Sequence, residues 1–282
     1  MGLLIFMGWK AMDWRKALRS LQYNAVYVVL LTIFPLFIQG QDLLEESFSD
    51  PGDETREIVY TNWIFSLSGG IIRVMQDRLN YNIITDFFAI VYAWLFSYLL
   101  YFAPLYLLAR DDKLALRQYS IAMMFNYIIL IPFYLLFPVS VSGSHPASGM
   151  IPLLYVDEHW GRMVTSVDPL NNDFPSGHVS LAITTLLIFR YAGAHYRRFY
   201  RFLIGVTAAV VFAVLYLGIH WPADVFAGFL VGVAAVIIAR NEKVQMTIDR
   251  YVRALNDRIM PKRGTKKTTT VEKADGAETA AR

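Results

Sequence analysis

No cysteine occurs in the 282 residues, which excludes disulfides, thiolate metal sites and a cysteine nucleophile. Charge is scarce as well: Asp, Glu, Lys and Arg make up 17% of the chain against 56% hydrophobic residues, and the mean hydropathy is +0.39. A chain this poor in charge does not suit an ordinary soluble domain; it suits an all-α polytopic membrane protein whose partner is the bilayer. The net charge of +3 and pI near 8.9 do not indicate nucleic acid, because the basic residues form short clusters beside apolar runs rather than one polar face.

Six apolar stretches are long enough to cross roughly 30 Å of hydrocarbon. They run from Leu21 to Ile38, Ile83 to Ala109, Tyr119 to Phe137, Val179 to Tyr191, Phe202 to Ile219 and Val225 to Ala239. The expected architecture is therefore a six-transmembrane-helix bundle. The fourth stretch spans only if its helix begins near Ser176. Gly2 to Met7 is too short for the apolar core of a signal peptide, so the first span is expected to be retained. Lys10, Arg15, Lys16 and Arg19 precede span one, Arg110, Lys113 and Arg117 separate spans two and three, Arg190, Arg197, Arg198 and Arg201 separate spans four and five, and Arg240 and Lys243 follow span six. The positive-inside rule then puts both termini in the cytoplasm and the turns after spans one, three and five on the outer or lumenal side.

Four regions follow: a cytoplasmic N-terminus (1–20), the first span with its outer loop (21–82), a transmembrane core (83–240), and a cytoplasmic helical extension with a disordered tail (241–282). In the outer loop, Asn62 to Leu79 is amphipathic around a Gly69-Gly70 break and reads as an interfacial helix. Ile248, Tyr251, Val252, Leu255 and Ile259 recur at helical spacing after span six, and the segment from Pro261 onward has no apolar pattern.

Two outer helix mouths carry the candidate chemistry. Phe174-Pro175-Ser176-Gly177-His178 places proline, a capping serine and glycine at a helix start. Such a start serves as a cap, and it is also an anion site, where unpaired amides face the ligand and His178 can hold or donate a proton. At the next outer mouth His220 is followed by Asp224 four residues later, on the same helical face. The carboxylate can hold one imidazole nitrogen and aim the other at an electrophile, or the two can simply pair at the interface. A phosphate is the anion these groups suit.

These residues resemble the type 2 phosphatidic acid phosphatases and their relatives, which include vanadium haloperoxidases and the inositol phosphotransferases that make inositol phosphorylceramide. That family's PSGH block stands as Pro175 to His178, and its last block, SRxxxxxHxxxD, is matched at His220 and Asp224 with Tyr216, Gly218, Trp221 and Pro222 nearby. The resemblance covers spans three to six. It implies a lipid phosphate substrate, His220 as nucleophile forming a phosphohistidine, Asp224 orienting it, and His178 protonating the leaving oxygen. Pro175, Ser176 and Gly177 would form the phosphoryl-binding mouth. It implies neither a metal nor a cofactor. Water as acceptor makes a phosphatase, and a lipid hydroxyl makes a transferase.

The departures are informative. The Ser-Arg pair falls on Ala213 and Val214, and the basic block expected upstream is replaced by "IPFYLLFPVSVSGSHP". Phosphoryl transfer needs positive charge or donors on the equatorial oxygens, and His145, His159 and Arg162 are the candidates in the outer loop. The same departures resemble the inositol phosphotransferase branch, with Phe137-Pro138 compatible with its proline-bearing segment. The alternative to an enzyme is an inactive relative that binds or scrambles lipids. A haloperoxidase is disfavoured, because holding vanadate needs a strongly cationic pocket.

Overall fold

In the computed structural model, the described residues are 15, 18, 21, 25–31, 33, 53–68, 70, 72–79, 81–156, 160–161 and 174–259. They contain helices and turns and no strand. We label the helices α1 (Asp53–Ser68), α2 (Arg73–Leu79), α3 (Asn82–Ala109), α4 (Lys113–Leu136), α5 (Gly177–Tyr191), α6 (Arg197–Tyr216), α7 (Pro222–Arg240) and α8 (Glu242–Ile259). Residues 25–31 of the expected first span are helical. The remainder of that span is mostly outside the described residues.

Among the described residues, four helices are long and apolar enough to cross a membrane: α3, α4, the segment Ala194–Tyr216 that contains α6, and α7. They support an integral membrane protein. Each leaves large apolar side chains exposed, among them Phe87, Trp94 and Tyr101 on α3, Ile128 on α4, Ile204 on α6, and Phe226, Leu230 and Ile237 on α7. A surface of this kind suits lipid and does not suit water.

The expected fourth span behaves differently. α5 has 15 residues, about 22 Å of helix, and the run from Val179 to Thr185 is buried without a break. It is the interior helix of the bundle, with α4, α6 and α7 packed around it. Backbone approach, rather than large side chains, seats it against α7. A Cβ at Gly228 would lie 2.4 Å from the Ser176 carbonyl oxygen, and one at Gly232 would lie 2.6 Å from the Ser180 carbonyl oxygen. Glycines four residues apart let two membrane helices approach to this degree.

The outer segment read as one amphipathic stretch is two helices. α1 begins at Asp53, earlier than expected, and the chain breaks between Ser68 and Arg73, where the paired glycines stand. Ile64 of α1 is buried with Val139 and Trp221, with Tyr60, Phe65, Phe137 and Phe174 around them. α1 therefore packs on the mouths of the core helices. At the other end of the bundle, α8 is tied to α4 through Arg117, which pairs with Asp249 and donates to Gln245.

Candidate active site at the mouths of α5 and α7

Ser176 is the N-cap of α5, and its Oγ accepts the Val179 N–H at 3.4 Å. The cap expected from the sequence is thus formed, and the helix begins at Gly177. The Ser176 N–H is already engaged, donating to the Asp224 carbonyl at 3.1 Å. This bond ties the mouth of α5 to the first turn of α7. The Pro175 carbonyl accepts the Tyr134 hydroxyl at 3.2 Å, and a Cβ at Gly177 would come within 2.6 Å of that hydroxyl. Glycine is therefore required at position 177 for Tyr134 to reach the turn. Ser176 and Pro175 are structural groups of the mouth in this arrangement, and Gly177 and His178 are the first two residues of the helix.

His220 sits on the turn between α6 and α7. Gly218 adopts φ +73°, in the left-handed region, with Ile151 O 2.7 Å from where a Cβ would stand. The Ile219 and His220 N–H groups both donate to the Val214 carbonyl, at 3.1 and 3.0 Å. Ala213 and Val214, the positions at which the Ser-Arg pair is missing, are fully buried. Val214 contributes its backbone to holding His220.

His220 is 3% exposed and Asp224 is fully buried. His220 Nδ1 lies 3.7 Å from Asp224 Oδ2, an ion-pair distance longer than a hydrogen bond. The same oxygen accepts the Trp221 N–H at 2.8 Å, which fixes the carboxylate beside the ring. The His178 ring faces His220 with centroids 5.8 Å apart. His178 is stacked on Tyr92 at 4.4 Å and packed by Phe96 at 4.7 Å. Tyr92 belongs to a π-helical turn in α3, Val91–Leu95, a local widening that is frequent at functional sites. The three residues expected to act together are therefore brought together, from two helix mouths separated by more than forty positions.

Of the expected outer-loop donors, His145 is near. Its ring lies 5.8 Å from that of Trp221 and 5.1 Å from that of Phe65, and burial pulls its pKa below the ordinary 6.5. It is neutral at neutral pH and does not replace a permanent cation. His159 and Arg162 lie outside the described residues.

Two residues that the sequence did not single out build this end. Gln76 of α2 is buried; its amide donates to the carbonyls of Ile151 and Tyr216, both at 2.8 Å, and its carbonyl accepts the Ile151 N–H at 2.9 Å. It clamps the loop after α4 onto the turn that carries His220. The loop backbone adds Ser142 N–H to Ile219 O at 3.2 Å and Gly143 N–H to Gly218 O at 2.8 Å. Tyr92 is the second, supplying the face on which His178 rests. Gln76 had one signal, a long polar side chain on an otherwise apolar stripe; Tyr92, one aromatic in an aromatic-rich span, had none.

Residues 154–242 match the family model of the PAP2 superfamily, a region that contains both histidines and the aspartate. The crystal structure of LpxE from Aquifex aeolicus is similar to this chain at 20% identity, over 61% of this chain and 94% of that one, with a TM-score of 0.46. No curated protein matches the chain.

Proposed function

We propose that the chain, with its PAP2 superfamily match over residues 154–242, is a membrane lipid phosphatase or head-group phosphotransferase that works through a phosphohistidine. The observation that carries this reading is the convergence of His178, His220 and Asp224, with the histidine rings 5.8 Å apart and the carboxylate 3.7 Å from His220 Nδ1. Asp224 addresses Nδ1, so Nε2 of His220 is the attacking atom. The N–P bond forms as the bond from phosphorus to the leaving oxygen breaks, and protonated His178 gives its proton to that oxygen. Water or an acceptor hydroxyl then attacks phosphorus, the N–P bond breaks, and His178 recovers the proton. Splitting one displacement into two in this way is covalent catalysis.

The Gly177 and His178 amides at the N-terminus of α5 supply fixed donors to the phosphoryl oxygens, with His145 and Arg162 as further contributors from the outer loop. The substrate is a lipid-linked phosphate that enters from the leaflet with its chains still in the bilayer. The basic clusters around Arg110, Arg117, Arg197 and Arg240 lie at helix ends remote from the histidines, which supports cytoplasmic termini and an outer or lumenal site. An inositol phosphotransferase activity is the form of transfer that the missing Ser-Arg pair favours.

The test is release of phosphate and of head-group product from phosphatidate, polyprenyl phosphates and pyrophosphates, and phosphatidylinositol with a ceramide-like acceptor, by purified protein in detergent with excess chelator. Turnover that vanishes in His220→Ala supports the mechanism, and the product distinguishes hydrolysis from transfer. A folded wild-type protein silent on every substrate would favour the lipid-binding or scrambling alternative.

A further inference from the structure

At the end of the bundle away from the histidines, a cavity of about 700 Å³ lies where α5 ends and α6 begins. Arg190, Arg197 and Arg201 line it, with Tyr191, Tyr200 and Phe189 as its aromatic walls, and no carboxylate is among its lining residues. The guanidinium groups stay charged throughout the physiological range. Arg117, at the same end, pairs with Asp249, whereas none of the three cavity arginines forms an ion pair with a described residue. One of the three is held in part by an aromatic ring. Arg190 lies over Tyr200 at 5.8 Å, and Arg240 lies over Tyr191 at 3.8 Å, adding a fourth cation behind the wall.

Three like charges around one hollow repel one another, and no carboxylate among the lining residues balances them. Guanidinium forks match phosphate oxygens in pairs. The first turn of α6, a helix of 20 residues, begins at Arg197 beside the cavity and adds its positive dipole end. The surroundings point to the source of the phosphate. The cavity sits at the ends of lipid-facing helices, and Tyr191 and Phe202 beside it are exposed, offering an apolar rim against which the glycerol and upper acyl carbons of a lipid can rest.

We infer that this cavity binds the phosphate of an anionic phospholipid in the leaflet opposite the histidine site. The binding involves no chemistry at His220 and stands apart from the proposed activity.

The experiment uses the full chain purified in detergent and stripped of lipid. Its thermal midpoint is followed during titration with phosphatidylglycerol, phosphatidylcholine or inorganic phosphate, and retained lipid is counted by native mass spectrometry. Phosphatidylglycerol is expected to raise the midpoint saturably while phosphatidylcholine does not. Arg197→Gln and Arg201→Gln should each weaken the phosphatidylglycerol effect about tenfold. Arg198→Gln, an exposed neighbour that does not line the cavity, should leave it unchanged and reports on general surface charge. Midpoints without lipid verify that the variants fold, and Arg197→Lys and Arg201→Lys replace any that do not, with partial retention expected. Equal binding by wild type and the Arg197 and Arg201 variants overturns the inference, as does an equal loss in Arg198→Gln. Stabilisation by inorganic phosphate at the same concentrations overturns the lipid assignment in favour of a soluble anion.

Discussion

At one end of the bundle His220 and Asp224 are buried, held by backbone bonds from Val214 and Trp221 and by the bond from Ser176 to the Asp224 carbonyl. At the other end Arg190, Arg197 and Arg201 stand exposed around an open cavity without a carboxylate. The groups fitted for chemistry are few and enclosed, and the permanent charge is plentiful and kept where water and headgroups can reach it. A buried ionisable group is costly unless partnered, so the enclosed end has to be built to fine tolerance. The arginine end can be loose, because each guanidinium keeps its hydration when its ligand leaves. The two ends should therefore answer mutation differently, with steep and cooperative losses at the first and graded ones at the second.

The sharpest break in that comparison comes at His220. Replacing the proposed nucleophile by alanine is expected to lower kcat by on the order of 10⁵-fold or more, and Asp224→Asn by about 10⁴-fold. Loss of a general acid in His178→Ala should cost about 10²- to 10⁴-fold. Each is measured as phosphate or product release under excess chelator, with folding verified by thermal midpoint. Trapping of radiolabelled phosphate on wild type and not on His220→Ala would identify the intermediate. Retention of full turnover in His220→Ala would remove the mechanism altogether.

Packing should be the next most sensitive feature. A side chain at Gly228 meets the Ser176 carbonyl, and one at Gly232 meets the Ser180 carbonyl. Gly228→Val is expected to cost about 1–3 kcal/mol of stability and to separate the mouths of α5 and α7, so that activity falls together with thermal midpoint. Gly205 of α6, with open space where its Cβ would stand, provides the contrast. Gly205→Ala should leave activity unchanged and the midpoint unchanged or slightly raised.

Gln76→Leu tests the clamp between loop and turn. It strands the Tyr216 carbonyl and the Ile151 N–H, each at about 1–3 kcal/mol if left unsatisfied, whereas the Ile151 carbonyl keeps the Leu153 N–H at 2.8 Å. Hydrogen exchange should rise at the turn from Tyr216 to His220 before it rises in α4, and kcat should fall more than KM rises, because the proposed nucleophile is mispositioned while the proposed lipid entry face is untouched. Equal exchange at the turn in wild type and variant would show that the backbone pairs at Ser142 and Gly143 suffice.

The unequal tolerance of the two ends also explains what could be read from the chain. The placement of His178, His220 and Asp224 at neighbouring helix mouths was legible because its signals are written locally: a cap and glycine at a helix start, and an aspartate four residues after a histidine. The membrane helices α3, α4, α6 and α7 were legible from hydropathy. The bounds of α5 were also legible, from Ser176 to Tyr191, but its interior place was not, since a helix wrapped by other helices needs neither the length nor the apolar surface of a lipid-facing span. The engagement of the Ser176 amide was also hidden, because its partner is a backbone carbonyl 48 positions away that no side-chain pattern reports. Gln76 and Tyr92 act through contacts between distant elements, and only the packed chain brings those elements together.

The smallest expected effect separates the ends by pH. Arginine does not titrate in the physiological range, whereas His145, packed against Phe65 and Trp221, has its pKa lowered by burial from the ordinary 6.5. As pH falls through the unfolded value, the unfolded chain takes up a proton that the folded chain still resists. The unfolded state then binds more protons, and stability declines with falling pH until the folded group also protonates. His145→Phe keeps an aromatic ring between Phe65 and Trp221 and removes the titration. Between about pH 5 and 7 the thermal midpoint of the variant should fall less steeply than that of wild type, while above that window the two curves should run parallel. Taking the difference between the two proteins cancels the titration of the other histidines. Parallel curves across the whole range would mean that His145 protonates as readily in the folded chain as in the unfolded one, and that its burial beside Trp221 is not what the geometry indicates.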